Sequence, residues 1–217
     1  MKNVFRILCL FNCVIIVLIS LTLHSFAASS SIINNEVYYI KNQRSGKYIT
    51  AAGNTSGSNI YQSNLTGNTN QQFKLVYTET YQSNAYYNIV PMVNTSLRID
   101  IDNAWDSDGA NVKLFNYSSL YPEAQRFRFI YNNNNNRGTY RIMPRLSSTR
   151  VFDVLNASLY SGTNIQLYSS VPGAYQQDWI LEHVDDIEPF VEPDIAIYSQ
   201  LENNTCGPNS SNLMLEN

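Results

Sequence analysis

The chain has 217 residues and a formal net charge of −3, which suffices for one domain of ordinary size or two small ones with a hydrophobic core. Only 14% of the residues are charged and there is no basic excess, which argues against binding to a nucleic-acid phosphate backbone. The 16 tyrosines favour strands and turns over long exposed helices.

The N-terminus has the pattern of a secretory signal peptide, residues 1–27. Lys2 and Arg6 give a positive start, residues 7–23 are almost wholly apolar, and Ser25-Phe26-Ala27 places small residues at a cleavage site. We expect cleavage after Ala27, an extracellular location and no membrane attachment of the mature chain. A membrane anchor is the alternative, because the apolar run reaches the lower length limit for a span.

Few metal-binding or disulfide-forming residues remain after this cleavage. Cys206 is then the only cysteine and His183 the only histidine. One cysteine cannot form an internal disulfide, and one distant pair of Cys and His makes a structural zinc site improbable. We therefore expect neither a metal nor another cofactor.

Three sequence markers recur in one order with a period of about 53 residues, which indicates an internal repeat. They are tyrosine-x-isoleucine, glycine-x-asparagine and glutamine-x-aromatic, where x is any residue. The markers stand at 38–40, 57–59 and 71–73, at 87–89, 109–111 and 125–127, and at 140–142, 162–164 and 177–179. Short alternating stretches separated by turn residues predict an all-β domain of three four-stranded repeats, closed so that its edges are paired.

The repeat pattern resembles the ricin-type β-trefoil lectins, whose three subdomains each end in a glutamine-x-tryptophan motif. The resemblance covers residues 36–182; Trp179 matches the family's tryptophan, and Phe73 and Phe127 replace it in the other repeats. It implies a β-trefoil that binds neutral sugars on glycans or cell-surface carbohydrate. A trefoil that binds a protein partner is the alternative, because the fold alone does not determine the activity.

The third repeat contains the full set of residues that the resemblance assigns to a sugar site. A carboxylate can accept hydrogen bonds from two neighbouring hydroxyls, and an aromatic ring can cover the apolar face of a pyranose. Amide side chains complete the set. The predicted site consists of Asp153, Gln166, Tyr168, Gln176 and Gln177.

The other two repeats match this template less well. Repeat 2 has alanine at 124, where an amide is expected, so we predict a weaker second site there. Its residues are Asp100, Lys113, Phe115 and Gln125. We call the position of the aspartate the acceptor position and that of the aromatic ring the platform position. Repeat 1 has Thr50 in the acceptor position and Ser63 in the platform position, and we do not expect it to bind sugar.

A different pattern follows the trefoil. Residues 183–196 are rich in acids and contain two prolines, which predicts an exposed linker. Residues 197–217 resemble the incomplete start of a papain-like cysteine peptidase domain, similar to bacterial peptidases that remove double-glycine leader peptides. The resemblance implies that Cys206 is a nucleophile at a helix N-terminus and that Gln200 contributes to the oxyanion hole.

A cysteine nucleophile also needs a histidine base and an orienting Asn or Asp, and in this family both follow the cysteine. The given sequence has no histidine after Cys206. We therefore expect this chain to be no enzyme but the targeting module of a truncated, secreted bacterial peptidase. The alternatives are an active peptidase in a full-length form and a tail whose Cys-Gly-Pro is coincidental.

Overall fold

The computed structural model describes residues 32–132 and 138–187. The predicted signal peptide (1–27), the predicted linker beyond residue 187 and the predicted peptidase start (197–217) lie outside the described residues. Within the described ranges, no helix is long and apolar enough to cross a membrane.

The described residues form twelve strands, four in each repeat, as the alternating pattern predicted. Repeat 1 contains β1 (Val37–Asn42), β2 (Tyr48–Ala51), β3 (Ile60–Ser63) and β4 (Gln72–Tyr81). Repeat 2 contains β5 (Asn84–Pro91), β6 (Leu97–Ile101), β7 (Ala110–Asn116) and β8 (Phe127–Asn132). Repeat 3 contains β9 (Thr139–Pro144), β10 (Arg150–Val154), β11 (Thr163–Ser169) and β12 (Trp179–His183).

Helical structure in the described ranges is limited to single 3-10 turns. These lie at Thr69–Gln71, Asp102–Ala104, Pro122–Ala124, Leu155–Ala157, Tyr175–Gln177 and Val184–Asp186. Three of them end one to three residues before the fourth strand of their repeat begins: Thr69–Gln71, Pro122–Ala124 and Tyr175–Gln177. The prediction of an all-β chain without long helices is therefore confirmed for the part of the chain that is described.

Six strands close into a barrel. Strand β1 pairs with both β4 and β12, and the antiparallel pairs β4–β5, β5–β8, β8–β9 and β9–β12 complete the circle. The tyrosine-x-isoleucine marker lies in the first strand of each repeat. Closure pairs both edges of every barrel strand, which removes the unpaired backbone groups that an open sheet would expose.

The three outer hairpins, β2–β3, β6–β7 and β10–β11, share one hydrophobic core with the barrel. Phe73, Phe127 and Trp179 of the closing markers are fully buried in this core, which confirms that they point inward. The indole N–H of Trp179 donates to the carbonyl of Phe152 at 3.3 Å. The polar atom of this large side chain therefore has a partner in the core. The fold is the predicted β-trefoil.

The asparagines of the second marker, one from each repeat, meet in a closed ring of amide hydrogen bonds. Asn59 donates to Asn164 at 2.9 Å, Asn164 donates to Asn111 at 3.0 Å, and Asn111 donates to Asn59 at 3.0 Å. Every amide in the ring donates once and accepts once. The ring joins the three repeats at one point, although the repeats are about 50 residues apart in sequence.

The glycines of the same marker form a second cyclic set of contacts. Each donates its backbone N–H to a carbonyl in the third strand of another repeat. The bonds are Gly57 to Leu114 at 2.7 Å, Gly109 to Leu167 at 2.9 Å and Gly162 to Gln62 at 2.8 Å. Their φ angles of +90°, +88° and +85° lie in a region that side chains with a Cβ rarely adopt, so the turn requires glycine.

The asparagine ring generates a stability prediction. Replacing Asn111 by alanine leaves the Nδ2 donor of Asn164 and the Oδ1 acceptor of Asn59 unpaired. We expect Asn111→Ala to lower the free energy of unfolding by about 1–3 kcal/mol in urea denaturation. The control is Asn116→Ala, at an exposed asparagine in the same strand, where we expect a change below about 0.5 kcal/mol. Equal losses in both variants would contradict a stabilising role for the ring.

Candidate functional site

The carboxylate of Asp153 is the centre of the polar cluster in repeat 3. Asp153 lies in β10 opposite Gln166 of β11, and only 4% of its surface is exposed. Gln166 donates from Nε2 to Oδ1 at 3.2 Å, and Gln177 donates from Nε2 to Oδ2 at 3.0 Å. The structure thus brings together three of the five residues that the sequence placed in the site, with one amide on each carboxylate oxygen.

Burial and hydrogen bonding act in opposite directions on this carboxylate. Burial raises the pKa of Asp153, whereas hydrogen bonds from Gln166, Gln177 and Gln176 lower it. Burial has the larger effect, and the pKa is therefore raised. Gln176 is half-buried, and its backbone carbonyl accepts a bond from Asn42 at 2.9 Å. Oδ1 accepts from Gln166 and Oδ2 from Gln177, and the two oxygens together keep acceptor capacity for a ligand hydroxyl.

The side-chain amide of Gln177 forms its hydrogen bonds within the protein. Its Nε2 donates to Asp153 and to the carbonyl of Ser169 at 2.9 Å, and its Oε1 accepts from the backbone N–H of Val171 at 2.9 Å. Both amide hydrogens are used and the side chain is buried. Gln177 therefore orients Asp153 and fixes the loop after β11, and it has no free hydrogen to offer a sugar.

Tyr168 provides the exposed aromatic surface of repeat 3. It lies two residues after Gln166 in β11, so the two side chains share one face of the strand. Phe152 and Leu167 lie on the opposite face and are buried in the core. Tyr168 is 40% exposed, which leaves part of its ring accessible beside the carboxylate.

A turn in left-handed backbone conformation directly follows the acceptor strand in repeats 2 and 3. The φ angles are 56° and 52° at Asn156 and Ala157, and 56° and 49° at Asn103 and Ala104. An alanine in this region is strained by roughly 1–2 kcal/mol. The sequence carries a signal for this turn that our sequence reasoning did not use: Asp-x-x-Asn-Ala occurs at 100–104 and again at 153–157.

Repeat 2 has the same carboxylate and amide pair. Gln125 donates from Nε2 to Oδ2 of Asp100 at 3.0 Å and to the carbonyl of Asn116 at 2.8 Å. Phe115 occupies the platform position and is 39% exposed. Ala124, where an amide was expected, is buried. The structure therefore places Asp100, Gln125 and Phe115 as their counterparts are placed in repeat 3.

Lys113 differs from its counterpart Gln166 because its charge is neutralised by a residue that the sequence reasoning missed. Its ammonium group forms an ion pair with the carboxylate of Asp102 and lies 4.7 Å from the ring centre of Phe115. Asp100 consequently has Gln125 as its one amide donor. Burial raises the pKa of Asp100 to about 6, although Gln125 and Lys113 act to lower it, and the nearby charge of Asp102 raises it further.

In repeat 1 the corresponding groups satisfy one another. The hydroxyls of Thr50 and Ser63 are 3.0 Å apart, and Nε2 of Gln71 donates to them at 3.0 and 2.9 Å. Neither a carboxylate nor an aromatic platform is present at these positions. An open depression of about 570 Å³ lies beside them, and Oδ1 of Asn70, which lines it, is buried without a hydrogen-bond partner.

The predicted peptidase residues Gln200 and Cys206 lie outside the described residues. His183, at the end of β12, is 2.9 Å from a carboxylate oxygen of Glu36 and lies edge-on to the ring of Tyr38. Among the residues that the structure describes, no three His, Cys, Asp or Glu side chains group in a way that could hold a metal ion.

Comparison with known families gives a match over residues 26–115 to the ricin-type beta-trefoil lectin domain-like family. No curated protein matches the chain. Among solved structures, the designed threefold-symmetric protein ThreeFoil shares 31% identity at a TM-score of 0.58, covering 67% of this chain and 96% of the designed one.

Two further solved structures show the same fold at lower identity. The exo-beta-1,3-galactanase 1,3Gal43A from Clostridium thermocellum is 24% identical at a TM-score of 0.60, over 70% of this chain and 31% of the enzyme. The Macrolepiota procera ricin B-like lectin, solved in complex with lactose, is 18% identical at a TM-score of 0.58, over 70% of this chain and 99% of the lectin.

The raised pKa of Asp100 generates a prediction for the pH dependence of stability. A carboxyl group with a pKa of 3.8 in the unfolded chain and about 6 in the folded one destabilises the fold once it ionises. This contribution to stability is therefore lost progressively as the pH rises from about 4 to about 7. We expect Asp100→Asn to raise the free energy of unfolding by about 1–2 kcal/mol at pH 7 and to leave it unchanged at pH 3.5.

Urea denaturation between pH 3.5 and 8 measures this effect. The control is Asp185→Asn, which neutralises a carboxylate whose side chain is 88% exposed. We expect the control to retain the wild-type pH dependence. A stability profile of Asp100→Asn that runs parallel to that of the wild type over the whole range would refute the assignment.

Proposed function

We propose that this chain, which belongs to the ricin-type β-trefoil lectin-like family through its residues 26–115, is a carbohydrate-binding module with its principal site in repeat 3. The observation that carries the proposal is the pairing of a buried, amide-oriented carboxylate, Asp153, with an exposed aromatic ring, Tyr168. A pyranose presents adjacent hydroxyls on its rim and C–H groups on one face, and these two groups match both features.

Neutral sugars fit the charges around this site best. Asp153 is the only charged member of the predicted set, and the remaining members are three glutamines and a tyrosine. An anionic sugar would place a second negative charge beside a buried carboxylate without a cation of the set to balance it. Neutral hydroxyls instead donate to Asp153 and can accept from Gln176 at the rim.

Repeat 2 supports a second, weaker site. It keeps Asp100 and the Phe115 platform, but Lys113 is paired with Asp102 and Ala124 supplies no amide. A sugar in this site would have fewer hydrogen-bond partners than one in repeat 3. Two sites on one rigid trefoil would still raise the apparent affinity for clustered glycans, because the second binding event becomes intramolecular.

Secretion and a link to a cysteine peptidase are further parts of this proposal. They rest on sequence patterns alone: the signal pattern of residues 1–27 and the peptidase-like segment that contains Gln200 and Cys206. In that arrangement the trefoil would deliver a peptidase to glycan-coated substrates. Mass spectrometry of the protein from culture medium would test both cleavage after Ala27 and the extent of the natural chain.

The proposed site predicts which substitutions abolish glycan binding. We expect wild-type protein (residues 28–217) to bind neutral glycans on an array, and both Asp153→Asn and Tyr168→Ala to weaken that binding at least about tenfold, which corresponds to about 1.4 kcal/mol. Asparagine keeps the acceptor for one amide but removes the charge that strengthens bonds from two hydroxyls. Alanine removes the platform and leaves the buried core unchanged.

The matched controls are Thr50→Ala and Ser63→Ala, which change the corresponding positions of repeat 1. We expect both to bind glycans as the wild type does. Circular dichroism would establish that each variant is folded. A folded wild type that binds no glycan on the array would disprove the proposal and favour a trefoil that recognises a protein partner.

A further inference from the structure

An acidic residue of repeat 2 is bonded to the sugar-site hairpin of repeat 3. Asp108, in the loop between β6 and β7, accepts from the backbone N–H of Ser169 at 2.8 Å and from its hydroxyl at 2.9 and 3.0 Å. The same carboxylate accepts from Nε of Arg150 at 2.8 Å. Arg150 and Ser169 face each other across β10 and β11, so Asp108 bridges the end of this hairpin.

The hydrogen bonds that Asp108 accepts lower its pKa. Desolvation is the largest single influence and raises the pKa of Asp108, but the hydrogen bonds from Ser169 and Arg150 together with the charge of Arg150 outweigh it, so that the pKa is lowered. Arg150 also donates to Asp106 at 3.0 Å. Several charge-assisted bonds that converge on one carboxylate hold a surface group more firmly than a single exposed ion pair does.

The contact breaks the threefold symmetry of the fold. Asp108 immediately precedes the glycine of the second marker, and the corresponding residues of repeats 1 and 3 are Ser56 and Ser161. All three marker glycines make the same inter-repeat bond, so the three loops are placed alike. A charged contact at this position is therefore specific to the boundary between repeats 2 and 3.

Ser169 connects Asp108 to the proposed sugar site. It directly follows the platform residue Tyr168, and its carbonyl accepts one of the two bonds donated by the Gln177 amide. The other Gln177 bond orients Asp153. A displacement of Ser169 would consequently disturb both the platform and the orientation of the carboxylate.

We infer that Asp108 is a positioning residue that sets the sugar affinity of repeat 3 by fixing the end of β11 from the neighbouring repeat. The inference rests on the proposed function of repeat 3. Asp108 acts through Ser169 and Gln177 and does not contact the sugar. The affinity of one repeat is therefore determined in part by the sequence of another.

Nuclear magnetic resonance on residues 28–217 can test the inference with two measurements. The first is the solvent-exchange rate of the Gln177 side-chain amide hydrogens, which needs no ligand. The second is a titration with lactose followed at the Tyr168 ring. We expect Asp108→Ala to increase the exchange rate and to weaken lactose binding, each by about tenfold, equivalent to about 1.4 kcal/mol.

Two further variants make the test specific. Asp106→Ala removes one bond to Arg150 and leaves the Asp108 contacts in place, so we expect both measurements to stay within about twofold of the wild type. Asp108→Asn keeps an acceptor for Ser169 but loses the charge, so we expect it to recover part of the loss. This graded recovery would separate positioning from a general loss of stability.

The outcomes are distinguishable. If Asp108→Ala lowers the melting temperature while Gln177 exchange and lactose affinity stay at the wild-type level, Asp108 is merely structural and the inference is overturned. If the wild type binds neither lactose nor any array glycan, the proposed function fails. In that case the Gln177 exchange rates still decide whether Asp108 positions this hairpin.

Discussion

A buried glutamine amide in each repeat is the constraint on which both the loops and the sites depend. Gln71, Gln125 and Gln177 are almost completely buried and make the same three bonds. Each accepts from a loop N–H, donates to a carbonyl at the end of the third strand or directly after it, and donates at 3.0 Å to the side chain in the acceptor position. An unsatisfied amide in this position would cost about 1–3 kcal/mol, so the acceptor position has to be polar.

The carboxylate of the proposed sugar sites follows from this structural requirement. A threonine hydroxyl satisfies the amide in repeat 1, and aspartates satisfy it in repeats 2 and 3. Only an aspartate adds a second oxygen and a charge that can accept from a ligand. The same position therefore belongs to the fold in all three repeats, and in two of them it carries the carboxylate of a proposed sugar site.

The fold was predictable from the sequence because its constraints recur. Three markers with one period identified three repeats, and the structure shows why: the asparagines form the ring, the glycines make the inter-repeat bonds, and the closing aromatics fill the core. Each of these roles needs a particular residue type at a particular position. A period of about 53 residues was therefore visible without any knowledge of the contacts.

The electrostatic details of the sites were not predictable, because they depend on contacts that do not recur. The sequence suggested that the Lys113 side chain is available to contact a sugar. In the structure, the carboxylate of Asp102, 11 residues away, pairs with its ammonium group. Asp108 had no marker of its own, and its partner Ser169 is 61 residues away in the next repeat. A template applied one repeat at a time finds neither contact, since Asp102 is not a position of the template and the bond from Ser169 to Asp108 crosses between repeats.

Two charged contacts that do not recur between repeats start from one segment, residues 102–108. Its first residue, Asp102, pairs with the lysine of the proposed repeat 2 site, and its last, Asp108, bonds to the hairpin of the proposed repeat 3 site. The asparagine ring and the marker glycines treat the three repeats alike and so cannot make one site stronger than another. This acidic segment can do so, because Asp102 contacts Lys113 of the proposed repeat 2 site and Asp108 contacts Ser169, the neighbour of Tyr168 in the proposed repeat 3 site. The symmetric contacts therefore build the scaffold, and a few unrepeated charges distinguish the surroundings of its two proposed sites.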